Sequence, residues 1–372
     1  MALTKLDSMT IDHAGSGTRT IMLCQGDITD MSAADAVDYI AVSALPGDYS
    51  PTSGSVIGAL NNKGVSVQAQ SAHKAANYEP VMPCWVSQDV SAKGLNFSRF
   101  ILFEPSNPAT NAGWDVDSIF RALQCFTSSA NVSIAVPMVS TGSGGVDFSI
   151  ILRQLFFMGS QFQGLTSWPF STLKLVVYSS SQAKQAKTAF AAMKQQYASP
   201  PGAQGGAATP AGLTQRQTNC IRAYTGSLYR TLNNGLRAHS LTNPTYLQYL
   251  ATITGISTGL RNLPPYKGLA LRGTNLPASV RAKYTVEALI THLSFTSTSF
   301  TNPWGGTDLI KINSLTGPKV NMISMFPGEN EVLFDDAMTD TVIDVKGAGN
   351  EYGKYYQHRF TSNQTVPDYC GS

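Results

Sequence analysis

Short runs of apolar residues alternate with helical patterns in the first half of the chain. Five runs are rich in strand-forming residues: 20–24, 38–42, 100–103, 132–136 and 173–178. Between them, apolar residues recur at helical spacing, for example from Asp117 to Phe126 and from Phe148 to Met158. This alternation predicts an α/β unit with a largely parallel sheet. Because the runs are continuously apolar, we expect helices on both faces of that sheet, in three layers.

The second half of the chain has more helices at its start and more strands towards its end. Apolar residues repeat at helical spacing from Ile221 to Leu232, from Tyr246 to Leu260 and from Val280 to Leu293. Strand-like runs lie at 269–274, 294–300, 309–312, 320–324, 332–334 and 342–345. Helices followed by strands predict an α+β unit whose sheets are mainly antiparallel.

A stretch without charge or bulky apolar side chains separates the two halves. Residues 199–212 read Ser-Pro-Pro-Gly-Ala-Gln-Gly-Gly-Ala-Ala-Thr-Pro-Ala-Gly. This composition is typical of a flexible linker. The sequence therefore predicts two separately folded domains, residues 1–198 and residues 213–372, which can move relative to each other.

Composition and charge restrict the classes of partner. Of the 372 residues, 42% are hydrophobic and 13% are charged, and the net charge is +3. The basic residues are scattered, which argues against a nucleic-acid partner or a polybasic membrane anchor. No apolar run has the length of a membrane span or of a signal-peptide core. The five cysteines are widely spaced without a Cys-x-x-Cys, so we expect no structural metal site.

Two carboxylates lie just before an apolar run near the end of the chain. Glu329 and Glu331 follow a Pro327-Gly328 turn and precede Val332-Leu333-Phe334. In an extended chain, side chains two residues apart point to the same side. Like charges so close raise each other's pKa, so a site that handles a cationic group explains the pair better than packing does. An exposed strand edge protected by charge is the alternative.

Two further polar pieces precede these carboxylates. Arg272-Gly273-Thr274 ends an apolar run, and Ser297-Thr298-Ser299 lies between two phenylalanines. Singly, each has an ordinary explanation, because arginines at strand ends extend into water and threonine is a common strand residue. Together with Glu329-Asn330-Glu331, their order and spacing resemble those of mono-ADP-ribosyltransferases of the arginine–serine–glutamate class. The resemblance covers most of residues 213–360 and includes an early helix at Tyr224–Arg237.

The resemblance implies a role for each residue of this set. NAD would be the co-substrate, and cleavage of its nicotinamide–ribose bond develops positive charge on the ribose. A carboxylate beside the ribose stabilises that charge, and this is the role implied for Glu331. Ser297 would orient the carboxylate or the ribose, Arg272 would hold the pyrophosphate, and Gly273 would bring its backbone to the nicotinamide amide. Thr298 would complete the cofactor site, which would need no metal.

The resemblance also implies the reaction, which is transfer of one ADP-ribose from NAD to a protein side chain with release of nicotinamide. Glu329 would face the incoming nucleophile. In the family, a glutamate at that place accompanies arginine acceptors, although a hydroxyl acceptor such as threonine could use the same base. NAD hydrolysis, with water as the acceptor, is the alternative. The implied biology is a bacterial effector or toxin that is secreted by a dedicated system and modifies a protein in the cytoplasm of a host cell.

The first half carries a second resemblance. Gly26–Thr29, Ser53–Leu60 and Pro137–Gly145 are similar to the three signature segments of macrodomains, which bind ADP-ribose. The resemblance implies that Asp27 contacts the adenine amino group and that the two glycine-containing loops wrap the diphosphate. Glycines let backbone N–H groups approach phosphate oxygens. An ADP-ribose reader is therefore a third functional alternative.

One departure from the macrodomain pattern changes this expectation. The family usually has two asparagines after its second strand, and Val42 and Leu45 stand where they would fall. Apolar side chains cannot make the corresponding polar contacts. We therefore expect a degenerate macrodomain-like domain that does not hydrolyse ADP-ribose and binds it weakly or not at all.

Overall fold

The structure is a computed structural model that describes residues 3–129, 131–346 and 351–356. The chain divides into two compact units, Met1–Ala198 and Ser199–Ser372, here called the N-terminal unit and the C-terminal unit. The division falls at the residue where the sequence predicts the linker to begin. Within the described ranges, no helix is long and apolar enough to cross a membrane.

The N-terminal unit contains an eight-stranded sheet. Its strands are β1 (Thr4–Thr10), β2 (Thr20–Gln25), β3 (Tyr39–Ser43), β4 (Ala76–Asn77), β5 (Cys84–Val86), β6 (Arg99–Phe103), β7 (Val132–Pro137) and β8 (Phe170–Val177). Its helices are α1 (Val56–Asn62), α2 (Val67–Ser71), α3 (Pro108–Asp115), α4 (Asp117–Phe126), α5 (Phe148–Gln163) and α6 (Ser180–Ala198). The strand order is β1-β2-β8-β7-β3-β6-β5-β4. The five central strands run parallel, and the strands at both edges are antiparallel to their neighbours.

Both faces of this sheet are covered. Residues 40–42 of β3 are consecutive and fully buried, which a sheet with one wet face would not allow. On one face, Ile57 and Leu60 of α1 share a core cluster with β3. On the other face, a Cβ at Gly159 of α5 would overlap the Leu173 side chain of β8, so glycine is needed for this close approach. The arrangement agrees with the predicted three-layer unit and its largely parallel sheet.

The C-terminal unit begins with helices and ends with a seven-stranded sheet. Its helices are α7 (Gln215–Ala223), α8 (Tyr229–Arg237), α9 (Pro244–Asn262) and α10 (Ala278–Arg281), and a π-helical turn (Tyr224–Leu228) joins the first two. Its strands are β9 (Gly268–Thr274), β10 (Leu289–His292), β11 (Thr296–Ser299), β12 (Asp308–Ser314), β13 (Glu331–Phe334), β14 (Met338–Lys346) and β15 (Glu351–Tyr356).

The sheet of the C-terminal unit is mainly antiparallel, as predicted. Its order is β10-β14-β15-β12-β9-β11-β13, and β12 with β15 is the parallel pair among the described strands. Ala270, Ile310, Ile312, Val332 and Phe334 belong to one buried cluster on this sheet. Burying their apolar surface stabilises the adjacent strands β12, β9, β11 and β13, the framework that carries the candidate site.

One predicted helix is wrong. The helical pattern from Val280 to Leu293 forms only the short helix α10 and then strand β10. Glu287 has a positive φ of 69°, which an α-helix does not allow. The residues after it pair with β14, Leu289 with Thr341 and the following three in register. Sheet pairing therefore overrides a helical spacing that the sequence alone cannot distinguish.

One predicted strand is also wrong. Residues 320–324 form a turn, because the N–H groups of Ile323 and Ser324 both donate to the carbonyl of Val320. Val320 itself donates to the Glu331 carbonyl at 3.0 Å, so only the start of this segment approaches strand β13.

The segment 199–212 makes contacts within the C-terminal unit. The Thr252 hydroxyl donates to the Pro201 carbonyl at 2.6 Å, and the Gln204 N–H donates to the Asn219 carbonyl at 3.0 Å. A Cβ at Gly202 would overlap the Leu228 side chain. The first part of the segment is thus bound to α7, α9 and the π-helical turn, and the predicted flexibility of the linker stays a prediction.

Candidate active site

Strand register brings the three polar pieces of the sequence together. In strand β11, Ser299 pairs with Leu271 of β9 on one side and with Glu331 of β13 on the other. Arg272 and Ser297 lie one and two residues from these pairs. Neighbouring antiparallel strands bring opposed residues within about 5 Å. The Arg272, Ser297 and Glu331 positions therefore share one small area of the sheet.

Glu331 is a buried carboxylate with a bound hydroxyl. Its residue is 3% exposed, and its Oε1 accepts a hydrogen bond from the Ser297 hydroxyl. Burial raises the pKa of Glu331 to about 7, while the Ser297 hydrogen bond opposes that rise. Glu329 also raises this pKa, and Arg272 lowers it. A carboxylate with so perturbed a pKa, next to a specific charged partner, marks a candidate functional site.

Arg272 connects to the same strand from the other side. Its Nη1 donates to the Ser297 carbonyl at 2.7 Å. Burial lowers the pKa of Arg272, although a guanidinium remains charged at neutral pH. The result is a continuous connection from the Arg272 guanidinium through Ser297 to the Glu331 carboxylate. The Arg272 guanidinium and the Glu331 carboxylate are thus both held in place by Ser297.

The two glutamates occupy different environments, contrary to the extended geometry expected from the sequence. Glu329 ends a 3₁₀ turn (Pro327–Glu329), and Asn330 has a left-handed backbone with φ 51°. Glu331 is the first residue of β13, and it is buried while Glu329 is exposed. The alternation argument for residues 329–331 is therefore wrong. Glu329 still lies close enough to raise the pKa of Glu331.

Local packing alone requires a glycine at position 273. A Cβ at this position would overlap the carbonyl oxygen of Trp304, so the loop between β11 and β12 can lie against β9 only if residue 273 is glycine. The next segment is fixed by Asp308, which accepts hydrogen bonds from Arg281 at 2.9 Å and from the Leu276 N–H at 2.9 Å. These bonds hold the pKa of Asp308 well below its usual range.

Thr298 does not join the other predicted site residues. It is fully buried, and its hydroxyl donates to the Val332 carbonyl at 2.8 Å. The side chain therefore ties β11 to β13, and its role in a cofactor site stays a prediction.

The early helical stretch, which the sequence analysis related to the family only as a whole, supplies two further neighbours of the site. Tyr224 packs edge-to-face on Phe295, and its hydroxyl accepts a hydrogen bond from Asn233 Nδ2 at 3.1 Å. Asn233 Nδ2 also reaches the Phe295 carbonyl at 3.3 Å. Burial raises the pKa of Tyr224, and both Glu331 and Arg272 lie within electrostatic reach of it. Only the polar Asn233 on an apolar helical face could have indicated this contact from sequence.

The N-terminal unit has a cleft of its own. Two adjoining cavities, of about 290 and 450 Å³, share several lining residues, namely Gly54, Ser55, Val56, Pro137, Val176 and Tyr178. Residues 140–144 line the first cavity, and Asp27 lines the second. Asp27 Oδ1 accepts hydrogen bonds from the Thr29 N–H at 2.8 Å and hydroxyl at 2.7 Å. The three segments of the macrodomain resemblance therefore line one continuous cleft.

Val42 and Leu45, the two apolar residues in place of the macrodomain asparagines, differ in their position relative to this cleft. Val42 is fully buried in the core of β3, whereas Leu45 is 39% exposed and lines the first cavity. Neither side chain offers a polar contact. In the described residues of both units, no group of three or more His, Cys, Asp or Glu side chains could hold a metal ion.

Two curated proteins are similar to part of this chain. A putative NAD(+)–arginine ADP-ribosyltransferase, Mav, of Mycobacterium avium (strain 104) is 38% identical over 117 residues, which are 30% of this chain and 14% of that protein. The NAD(+)–protein-arginine ADP-ribosyltransferase Tre1 of Serratia proteamaculans (strain 568) is 32% identical over 124 residues, 33% of this chain and 27% of that protein. The predicted resemblance to ADP-ribosyltransferases is thereby confirmed. The chain spans only about a seventh and a quarter of these relatives.

Other comparisons add less. No family model matches the chain. Among solved structures, the type III effector XopAI of Xanthomonas axonopodis pv. citri aligns over 47% of this chain and 80% of its own, at 19% identity and a TM-score of 0.35. The macrodomain-like character of the N-terminal unit stays a prediction.

Proposed function

We propose that this chain transfers a single ADP-ribose from NAD to an arginine side chain of a protein and releases nicotinamide. The observation that carries the proposal is the connection Arg272–Ser297–Glu331, in which a buried carboxylate of raised pKa is oriented by a serine hydroxyl. The activities after which Mav and Tre1 are named support the same chemistry. NAD acts as the co-substrate, and no step requires a metal.

In the proposed reaction, the bond between ribose C1′ and the nicotinamide nitrogen breaks, and its electron pair leaves with nicotinamide. Positive charge develops on the ribose ring. Glu331 stabilises this charge more strongly than it stabilises bound NAD, because its carboxylate is fixed in a water-poor place before the charge appears. Ser297 keeps the carboxylate in one orientation. Arg272 provides the cation for the pyrophosphate, and the Gly273 backbone meets the nicotinamide amide.

Glu329 is proposed to act on the acceptor. It is exposed in the turn that precedes β13, where a large substrate can reach it. A guanidinium nitrogen of the acceptor bonds to C1′ and loses one proton, which Glu329 accepts and passes to solvent. Because a guanidinium is protonated at neutral pH, an adjacent carboxylate is needed to orient it and to remove that proton. A hydroxyl acceptor such as threonine requires the same base.

The experiment that tests this proposal uses NAD labelled in its adenylate part, mixed with the full chain and a lysate. Labelled protein together with free nicotinamide supports transfer, and loss of the label with hydroxylamine under conditions that release arginine-linked ADP-ribose identifies the acceptor. Free ADP-ribose without labelled protein supports the alternative, NAD hydrolysis. Intact NAD in every condition overturns both.

We also propose a second, separate function for the N-terminal unit. Its continuous cleft, lined by Asp27 and by the glycine-containing residues 140–144, has the size and backbone donors to hold part of ADP-ribose. Leu45 at the cleft offers no polar group for hydrolysis, so the expected activity is weak binding without hydrolysis. Calorimetric titration of the full chain and of Asp27→Asn with ADP-ribose tests this second function. The absence of a saturable heat of binding in both proteins would reject it.

The biological setting proposed here is that of a bacterial effector or toxin. The relative Tre1 is named for a protein-arginine substrate, and the partner proposed for this chain is likewise a protein, in a host cell. Identification of labelled proteins by mass spectrometry would name the target.

A further inference from the structure

The turn before Glu329 is held by helix α7 and by the π-helical turn that follows it. We call residues 320–330 the acceptor loop. The N–H groups of Ile323 and Ser324 bond back to Val320, but the turn offers no internal donors to the carbonyls of these two residues. Ile323 is fully buried and Ser324 is 5% exposed. Buried carbonyls need partners, because leaving them without a donor costs free energy.

Arg222 of helix α7 provides those partners. Its Nη1 donates to the Ile323 carbonyl at 3.1 Å and to the Ser324 carbonyl at 3.3 Å. The next residue of the loop is bound as well, since the Met325 N–H donates to the Thr225 hydroxyl at 3.0 Å. Three consecutive backbone groups of the loop are therefore fixed from one stretch of helix.

The π-helical turn makes this contact possible. Gly226 has non-helical dihedral angles, φ −93° and ψ −120°, and a Cβ there would lie 3.2 Å from Met325 Cγ. Thr225 in turn donates to the Arg222 carbonyl at 3.0 Å, which links the two bracing residues to each other. The irregular turn thus brings the loop close to α7 at a point where a regular helix with larger side chains would separate them.

The other end of the acceptor loop is attached to the end of strand β11 and to Thr301 just after it. The Ser299 hydroxyl donates to the Glu329 carbonyl at 3.0 Å, and Asn330 Nδ2 donates to the Thr301 hydroxyl at 3.3 Å. The loop is therefore held at both ends, with the exposed Phe326 between the two attachments. Glu331, in contrast, is fixed by strand pairing and by Ser297.

From this geometry we infer that Arg222 and Thr225 are positioning residues, which set the place of Glu329 for the acceptor without taking part in cleavage of NAD. The inference rests on the proposed transferase function. Loosening the brace lets Glu329 move while Glu331 stays in its strand. Displacement of a reacting group by about 1 Å can cost up to 10²-fold in rate. The defect should therefore fall on transfer and spare NAD hydrolysis.

The test compares Arg222→Gln with Arg216→Gln in the full chain. Arg216 lies on the same helix and also bonds a backbone carbonyl, but that of Ala251 in α9, at 2.9 Å. Transfer to agmatine, a small guanidine, and nicotinamide release without acceptor are measured for each variant. We expect Arg222→Gln to lower kcat/KM for agmatine by roughly tenfold to a hundredfold and NAD hydrolysis by less than about threefold. Arg216→Gln should change both activities by the same factor.

A double variant separates positioning from general damage. If Arg222 acts through Glu329, adding Arg222→Gln to Glu329→Gln should cause little further loss of transfer, because coupled residues are not additive. If Arg222→Gln folds poorly, Thr225→Val serves as the second variant, because it removes the acceptor for the Met325 N–H at similar volume. It should likewise lower transfer and spare NAD hydrolysis. Equal losses in both activities, or full additivity, would overturn the inference.

Hydrogen exchange gives a measurement that does not depend on activity. The Met325 amide should exchange at least about tenfold faster in Arg222→Gln than in wild type or Arg216→Gln, since each 1.4 kcal/mol of lost protection is a factor of ten. If wild type neither hydrolyses NAD nor modifies agmatine, the proposed function fails while faster exchange still supports the brace. Unchanged exchange in Arg222→Gln and in Thr225→Val would reject the brace itself.

Discussion

The cleft of the N-terminal unit and the polar site of the C-terminal unit treat their carboxylates in opposite ways. Asp48, at the first cleft, has its pKa lowered by hydrogen bonds from the Ser50 hydroxyl and N–H. Glu331 has its pKa raised to about 7, chiefly by burial. A satisfied, ionised carboxylate suits a binding surface, whereas a buried carboxylate of raised pKa is costly to keep and is typical of sites that do chemistry. Glu331 thus has the environment of a candidate catalytic carboxylate, whereas Asp48 has that of an exposed, hydrogen-bonded one.

Glu331→Gln is the substitution from which we expect the largest effect. We expect nicotinamide release to fall by roughly 10²–10³, the usual loss when one preorganised electrostatic group is removed. NAD affinity should change little, because the carboxylate acts mainly on charge that develops during bond cleavage. Single-turnover kinetics and calorimetric titration with NAD measure the two quantities. Wild-type turnover in this variant would refute the assignment of Glu331.

Glu329→Gln should divide the activities of the C-terminal unit. Transfer to agmatine should fall by about 10², the lower range for loss of a general base, while nicotinamide release into water stays within about threefold of wild type. The reason is that Glu329 is exposed in a turn and Glu331 is buried in a strand. Parallel assays with and without agmatine check the split, for which Gln182→Asn, at the cleft of the N-terminal unit, is the control.

Arg272→Lys should weaken NAD binding by roughly tenfold, because lysine keeps the charge but loses the planar fork that matches pyrophosphate oxygens. It also removes the bond to the Ser297 carbonyl. Titration with NAD and with ADP-ribose gives the affinities. An unchanged affinity for both ligands would show that the guanidinium only braces strand β11.

The raised pKa of Glu331 gives two pH dependences. Cleavage needs the carboxylate, so kcat/KM for NAD should fall about tenfold per unit below pH 7 and level off above it. For stability, the folded state holds the proton between the ordinary value of 4.5 and about 7 while the unfolded state has lost it. The contribution of this group to the free energy of unfolding therefore decreases as pH rises through that window.

Glu331→Gln should remove this decrease. Its melting temperature should exceed that of wild type at pH 8, and the difference should shrink at pH 5, where wild-type Glu331 is largely protonated in the folded state. Thermal unfolding at both pH values measures the effect. A variant that is less stable than wild type at pH 8 would mean that the ionised carboxylate is well satisfied in its site, and the contrast with Asp48 would disappear.

The smallest expected effect concerns the N-terminal unit. Asp27→Asn should leave NAD cleavage within about twofold, because this residue lies in the other compact unit, where its carboxylate is bound by Thr29. It should weaken any binding of ADP-ribose to the cleft. Competition between ADP-ribose and a fluorescent analogue on the full chain measures this change.

The sequence predicted the buried strands better than it predicted the turns. Runs of apolar residues located β2, β3, β6, β7 and β8, whose burial on both faces leaves a continuous signal. The helical pattern at 280–293 failed, because sheet pairing with β14 decides that segment. The strand predicted at 320–324 failed for a related reason, since its carbonyls are taken by Arg222, one hundred residues away in the chain.

The sequence by itself determined the two-part organisation, the layered and antiparallel sheets, and the identity of the polar pieces around Arg272, Ser297 and Glu331. These features depend on local composition and on the order of residues, both of which can be read directly from the sequence. Only the tertiary structure decided that Glu331 is buried and Glu329 exposed, that Thr298 ties two strands together, and that α7 holds the acceptor loop. Burial, pKa and hydrogen-bond partners depend on which distant segments fold against each other, and no local pattern encodes that choice.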